Sequence, residues 1–302
     1  MNNYIIIGYG NIGRKRKKTL GKKCIFTVDP YNNNSDFKNY LDVPLKSFDA
    51  AILATPNSSK YEIIKYLLSK GKHVLVEKPF LFEKFNLDKI KELNHLSIKN
   101  SAVWYTSYNH RFEPLIIKFK ELISQKKIGD IYYSNFIYGN GTSQNSVNSW
   151  RDSGYGVLED LGSHLIDIFV FLFPTYKVKF KSISLLNYEM NFLDYCVFVS
   201  SDKKFEFKCS FLTWKNEFKI EMFGSKGSIH LEGLNKWGKS KLIFRKRVLP
   251  SGIPTEEIFL SKGKDLTWDK DILFFEKMIL ENKNSSINDK YIFESISDIY
   301  EK

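Results

Sequence analysis

The chain lacks the residues that staple small folds and the runs that span membranes. Its 302 residues include three cysteines, Cys24, Cys196 and Cys209, far apart and without a CxxC pair. That excludes a disulfide framework and a zinc ribbon, and no metal site is expected. The longest apolar run near the middle, IDIFVFLF (166–173), contains Asp167 and stops at Pro174, far short of the ~20 residues needed to cross a bilayer. The opening segment MNNYIIIGYG has no basic n-region, no long apolar stretch and no small-residue cleavage pattern, so it reads as a first strand and not as a signal peptide. No internal repeat or low-complexity linker occurs. These absences lead to the expectation of a cytoplasmic globular protein without a membrane partner, long enough for two domains.

Acidic residues are in deficit too, 34 Asp+Glu against 46 Lys+Arg, a net charge of +12. Such an excess raises nucleic acid or a membrane surface as partners. No RRM, zinc-finger or helix-turn-helix pattern accompanies it, and the lysines are scattered among Asn, Ile, Phe and Tyr, a mix that AT-rich codons favour. No specific nucleic-acid binding is expected. The charge still suits anionic small ligands.

What is present divides in two. Up to about residue 125, apolar β-rich runs at 4–8, 24–29, 50–55, 73–78 and 102–108 alternate with helical spacing, as in SSKYEIIKYLLSKG (58–71). Strands apolar on both faces and alternating with helices predict a doubly wound parallel sheet, an α/β layout. Beyond it the period becomes two: in KFEFKCSF, Phe205, Phe207, Cys209 and Phe211 share one face, the mark of a sheet with one wet face. Similar runs at 177–184, 193–200, 217–223, 228–232 and 241–245 predict a largely antiparallel sheet, with C-terminal helices near 267–281 and 289–301. The expected boundaries are 1–122 for the first domain and 123–302 for an α+β second domain, with helices in 265–302 packing back on the first.

The first strand runs into GYGNIG, where Gly8, Gly10 and Gly13 fit G-x-G-x-x-G and the second strand ends in Asp29. This strand–turn–helix context makes the pattern a dinucleotide fingerprint. The glycines, with Asn11 and Ile12, would set pyrophosphate against the helix N-terminus. A carboxylate at Asp29 would accept from the ribose hydroxyls and repel a 2′-phosphate, favouring NAD over NADP. The run RKRKK (14–18) reads first as a solvated helix face, and second as a phosphate contact through Arg14 or Lys15.

Ligands of open α/β sheets bind beyond the carboxyl ends of the strands. The third strand delivers Thr55, Pro56 and Asn57 there, the fourth Glu77 and Lys78 in EKPF, and the fifth Tyr108, Asn109 and Arg111 in YNHRF. In GYGVLEDLGSHLID (154–167), a helix over about 157–173 would place Asp160, His164 and Asp167 within about 60° of one another, a polar stripe. A structural histidine satisfied by Asp160 is the competing reading. Just before the helix, Trp150 could stack on a sugar ring and Arg151 could hold an anionic group; a purely structural loop stands level with that reading.

In this order, GYGNIG, ATPN, VEKPF, YNHRF and GYGVLEDLGSHLID resemble the glucose-fructose oxidoreductase/inositol dehydrogenase family (Gfo/Idh/MocA) over nearly the whole chain. The last segment matches the family's D-x-G-x-H-x-x-D pattern, and EKP is its most recognisable tripeptide. The resemblance implies an N-terminal Rossmann domain and a C-terminal open antiparallel sheet for substrate binding and homo-oligomer contacts, in a dimer or tetramer. It implies an NAD(P)-dependent dehydrogenase or reductase of sugars, cyclitols or nucleotide sugars, with a place in surface-polysaccharide sugar metabolism. By position, Lys78 is the EKP lysine, Asp160 the first acid and His164 the histidine. Tyr155 replaces the middle of a glycine triplet frequent in the family and Glu159 adds an acid, both bearing on the shape of the sugar pocket. The expected chemistry is oxidation of a secondary alcohol or its reverse. His164, oriented by Asp160, takes the hydroxyl proton, Lys78 hydrogen-bonds the same oxygen, and the nicotinamide exchanges the hydride. The alternative is a non-catalytic NAD-binding sensor or scaffold with the same fold.

Overall fold

The computed structural model describes residues 2–80, 87–149, 151–283 and 286–301. The chain forms two compact units, Met1–Asn109 with Trp268–Phe293, and His110–Thr267 with Glu294–Lys302.

In the first unit, β1 (Tyr4–Ile7), α1 (Asn11–Leu20), β2 (Cys24–Val28), β3 (Ala50–Leu53), α2 (Asn57–Ser69), β4 (His73–Glu77), α3 (Leu87–Lys99) and β5 (Trp104–Ser107) follow one another. The strands pair in parallel in the order β2-β1-β3-β4-β5. The sequence YIII shows why a parallel sheet forms: both of its faces are covered. Ile5 and Ile7 join a core with Ile64, Leu67 and Leu93, whereas Tyr4 and Ile6 join another with Leu20, Ile272 and Phe275. The strand order reverses between β1 and β3, so the segments leaving these two strands flank a switch point, where such sheets bind ligands.

The second unit begins with α4 (Pro114–Ser124), β6 (Ile131–Gly139) and α5 (Ser143–Ser146); a π-helical turn, Leu158–Gly162, leads into α6 (Ser163–Leu172). Seven strands follow: β7 (Phe180–Leu186), β8 (Tyr195–Ser200), β9 (Phe205–Ser210), β10 (Glu217–Gly224), β11 (Gly227–Glu232), β12 (Lys241–Lys246) and β13 (Thr255–Leu260). The chain ends with α7 (Thr267–Glu281) and α8 (Ser286–Tyr300). The sheet order is β13-β12-β11-β10-β6-β9-β8-β7, antiparallel throughout except where β6 lies parallel to β9.

The inward face of this sheet is built from phenylalanine. Phe207 of β9 stacks on Phe198 of β8 and Phe136 of β6, each with centroids 4.8 Å away, and Phe169 of α6 meets it edge-on at 5.8 Å. Helix α6 is buried nearly all round, which accounts for its unbroken apolar sequence.

Two strands fall outside those read from periodicity. Ser134 and Asn135 interrupt the apolar alternation of β6, yet Ser134 is buried with its hydroxyl donating to the Glu221 carbonyl at 2.7 Å. Strand β13 is an edge, mostly exposed, and so has no buried face for its sequence to record.

Candidate active site

In the first unit the glycine-rich loop is shaped by contacts that only glycine permits. Gly8 has φ +93°, and a Cβ there would lie 2.5 Å from the Ala54 carbonyl oxygen; a Cβ on Gly13 would lie 2.1 Å from the oxygen of Gly8. Gly10 differs: a Cβ would meet nothing within 4 Å. Gly10 is also the N-cap of α1, with no side chain capping the first turn. Asn11 and Ile12 are exposed beside it. An open cradle at the N-terminus of a ten-residue helix suits a pyrophosphate, with free N–H groups and the positive end of the dipole turned to it.

Asp29 stands at the end of β2 with its carboxylate fixed by backbone. Oδ2 accepts from Tyr9 N at 2.8 Å, and Oδ1 from Tyr31 N and Asn32 N at 2.9 and 3.0 Å. Burial pushes this carboxyl up, but the three N–H donors outweigh it and hold it below the usual carboxylate range. On the β3 side, Thr55 Oγ1 is buried without a hydrogen-bond partner among the described residues. Pro56 caps α2 from an exposed position, and Asn57 opens that helix. The loop, the fixed carboxylate of Asp29 and the orphaned hydroxyl together fit a dinucleotide.

At the end of β4, the Lys78–Pro79 bond is cis and Lys78 is half-buried. The backbone here is held by Lys60, 3% exposed, whose ammonium donates to the carbonyls of Glu77 and Pro79 at 2.6 and 2.7 Å and to Asn57 Oδ1 at 2.9 Å. Glu77, expected at the cofactor, accepts from Arg16 Nε. Tyr108 is buried and Asn109 half-buried just beyond β5.

Arg16 departs from the solvated face expected of RKRKK: it is 0% exposed. Its Nη2 lies 2.8 Å from Asp271 Oδ2 and 2.6 Å from Ser107 Oγ, and Asp271 also accepts from the hydroxyls of Tyr105 and Ser107. The Trp268 ring covers the guanidinium at 4.5 Å. Burial opposes the charge on Arg16, and Glu77 and Asp271 reverse that effect and raise its pKa. The spacing carried this signal: Gly13, Arg16 and Leu20 are the buried residues of α1, at i, i+3 and i+7.

In the second unit the approach to α6 is turned by two left-handed glycines, Gly154 (φ +57°) and Gly156 (φ +55°); a Cβ on Gly156 would lie 2.2 Å from the Leu193 carbonyl. Asp152 anchors the same loop, accepting from the N–H groups of Asn191 and Phe192 at 2.8 and 3.1 Å. Gly162 lies against the protein itself: a Cβ there would be 2.8 Å from Leu158 Cδ1 and 3.5 Å from Cys209 Sγ.

The expected stripe of Asp160, His164 and Asp167 is buried, but its members meet different partners. Asp160 lies in the π-helical turn, a local departure from the 100° step, and takes Arg151 Nε at 2.8 Å. Asp167 binds Arg111 in a buried fork of two guanidinium nitrogens. His164, 5% exposed, stacks on His110, with ring centroids 4.1 Å apart. Trp150 lies outside the described residues. The sequence reading passed over His110, Tyr138 and Lys236: the Tyr138 hydroxyl is 3.2 Å from His110 Nε2 and accepts from Lys236 Nζ at 2.7 Å. His110 stood in the quoted YNHRF without a role. Nothing local marks the other two.

Comparison with known proteins agrees with this geometry. The family model described as "Oxidoreductase family, NAD-binding Rossmann fold" matches residues 22–108, and that described as "GFO/IDH/MocA C-terminal domain" matches 116–230. Glucose-6-phosphate 3-dehydrogenase of Bacillus subtilis is 28% identical over 190 residues, 56% of this chain and 53% of that protein. Levoglucosan dehydrogenase of Pseudarthrobacter phenanthrenivorans is 29% identical over 147 residues, 45% of this chain and 35% of that protein. Several curated relatives are matched over only about a third of their length. The solved structure of UDP-N-acetylglucosamine 3-dehydrogenase from Acidithiobacillus ferrooxidans superposes with TM-score 0.79 at 16% identity, covering 99% of this chain and 96% of that one, a likeness of fold. With a dinucleotide-binding sheet, a mostly antiparallel second sheet and a family model matching each, the chain belongs to the GFO/IDH/MocA family and carries its NAD-binding Rossmann fold.

Proposed function

We propose that the protein is an NAD-dependent dehydrogenase or reductase acting on a secondary alcohol or ketone of a sugar, cyclitol or nucleotide sugar. The observation that carries this reading is the presence in one chain of the open cradle at Gly10 and the buried His164 and Asp160 at the family's motif positions, Asp160 paired with Arg151. Bound nicotinamide supplies the hydride acceptor or donor. The chain's own residues do the rest. His164 exchanges the hydroxyl proton, since an imidazole titrates near neutrality. Asp160 favours its charged form, and Lys78 donates to the substrate oxygen as negative charge develops there. Asp29 selects NAD over NADP by presenting a fixed carboxylate where a 2′-phosphate would be repelled. The names of the similar dehydrogenases support a carbohydrate substrate.

Among the proposed substrate contacts Tyr108, Asn109, Arg111 and Arg151, the last keeps a 40% exposed side chain while bound to Asp160. That flank and the net charge of +12 favour an anionic sugar such as a nucleotide sugar, and with it a role in surface-polysaccharide metabolism. A homo-oligomer forms through the outer sheet face, where Tyr133 stacks on Phe223 at 4.6 Å and Ile243 pairs with Ile258. Sedimentation velocity on the purified protein reads this directly. Among the described residues no helix is long and apolar enough to cross a membrane.

The test of activity is NADH absorbance and fluorescence across free sugars, cyclitols and nucleotide sugars. On the substrate found, His164→Ala should lower turnover about 10²-fold or more, with NADH binding retained. Undiminished turnover in that variant would refute the role of His164. Tight NADH binding with no turnover on any substrate would support the non-catalytic sensor instead.

A further inference from the structure

His110 and His164 lie face to face, both buried, with ring planes 14° from parallel. Stacking alone does not choose which ring carries a proton. Their surroundings differ. On the His110 side, the Tyr138 oxygen accepts from the Lys236 ammonium at 2.7 Å and lies 3.2 Å from His110 Nε2. An ammonium has only protons to give, so the Tyr138 hydroxyl is left to donate its own proton to Nε2. Burial raises the pKa of this phenol strongly, Asp160 adding to the effect and Arg151 opposing it, so the hydroxyl keeps its proton. An imidazolium at His110 would sit beside the ammonium on a shared oxygen.

Carboxylate charge also surrounds the pair. Asp160 precedes His164 by one helical turn and carries Arg151 on one carboxylate oxygen. Glu113 also acts on Tyr138 through its charge, and its own carboxylate accepts from Asn235 N at 3.1 Å. That bond fixes the short helical turn Asn235–Trp237, which bears Lys236. Phe218 closes the edge of His110 at 6.4 Å with an uncharged ring.

We propose that Lys236 and Tyr138 hold His110 neutral, with Nε2 as acceptor, and that His110 so held makes His164 the one ring of the stacked pair that takes up a proton near neutral pH. Two positive rings in contact oppose each other, so a neutral His110 lets His164 become imidazolium. His110, Tyr138 and Lys236 are thus positioning residues. The catalytic meaning rests on His164 being the proton acceptor, but the titration itself does not.

The experiment is a pH titration of the full-length protein by long-range 1H–15N NMR of ¹⁵N-histidine, with rings assigned from His110→Gln and His164→Gln. In the wild type, His164 should titrate at the higher pH and His110 should stay neutral, its proton on Nδ1, to a pH at least about one unit lower. Tyr138→Phe and Lys236→Met should each raise the His110 midpoint by about one unit, tenfold in proton affinity, and lower that of His164. Lys236 is a surface residue, so its variant keeps the test informative if Tyr138→Phe fails to fold. His110 titrating above His164 in the wild type, or both curves unmoved in a folded variant, would overturn the proposal. Either result is read without substrate, so it is separate from loss of the dehydrogenase reading, which the turnover of His164→Ala decides.

Discussion

Replacing Arg16 with methionine removes the cation that two carboxylates of the first unit, Glu77 and Asp271, share. Asp271 is fully buried, and Glu77 is mostly so. Taking one member from a buried ion pair leaves an uncompensated charge and costs about 3–5 kcal/mol. Methionine fills the space under Trp268 with comparable apolar volume, so the loss is mainly electrostatic. At roughly 3 °C per kcal/mol for a unit of this size, the unfolding midpoint should fall by about 10–15 °C. Arg16→Lys should lose less, since it keeps the charge but not the fork that reaches Glu77 and Asp271 together. The triple variant Arg16→Met, Glu77→Gln, Asp271→Asn removes the stranded charges and should recover most of the loss. Calorimetry or circular dichroism melts of the four proteins decide the matter. An Arg16→Met protein melting within about 2 °C of the parent, or a triple variant no more stable than the single, would refute the reasoning.

The remaining predictions concern the cradle, the cofactor and pH. Gly10→Ala has space for its methyl at an ordinary φ of −80°, so thermal stability should hold while NADH affinity, read by fluorescence, falls about tenfold or more where the pyrophosphate needs that space. Gly13→Ala should instead lower the melting temperature, because its methyl meets the Gly8 carbonyl. Asp29→Ser should shift the ratio of NADPH to NADH affinity upward by about tenfold, and an unchanged ratio would remove Asp29 as the selector. Burial lowers the pKa values of His73 and His230; the native state therefore binds fewer protons than the unfolded chain below about pH 6.5. Their contribution is complete above that pH and is lost as pH falls through the lowered native values. The carboxyls of Asp29, Asp36 and Asp202, held below their usual range, extend the loss below about pH 4. Urea midpoints should therefore decline from pH 7.5 to 5 and again toward 3; a flat or rising trend would contradict the sign.

Local rules made much of this protein readable. Gly8 and Gly13 are required by contacts within a few residues or with the adjacent strand end, and β1 is apolar at every position because both sheet faces are covered. KFEFKCSF alternates because one of its faces is wet. The C-terminal helices and the motif positions of Lys78, Asp160 and His164 were legible for the same reason: each is set by spacing along one segment. The sequence by itself thus determined the two sheet types, the dinucleotide loop and the family. Tertiary structure alone decided the partners. The spacing of α1 puts Arg16 on its buried stripe, but nothing in that segment names its partner Asp271, which arrives from the far end of the chain, and Lys60 looks like a surface lysine until β4 presents its carbonyls. His110, Tyr138 and Lys236 come from three distant segments, and their joint effect on His164 depends on distances of a few ångströms. Electrostatic and hydrogen-bond energies fall off over such lengths, so they are fixed by which segments meet, and no periodicity in the sequence records that.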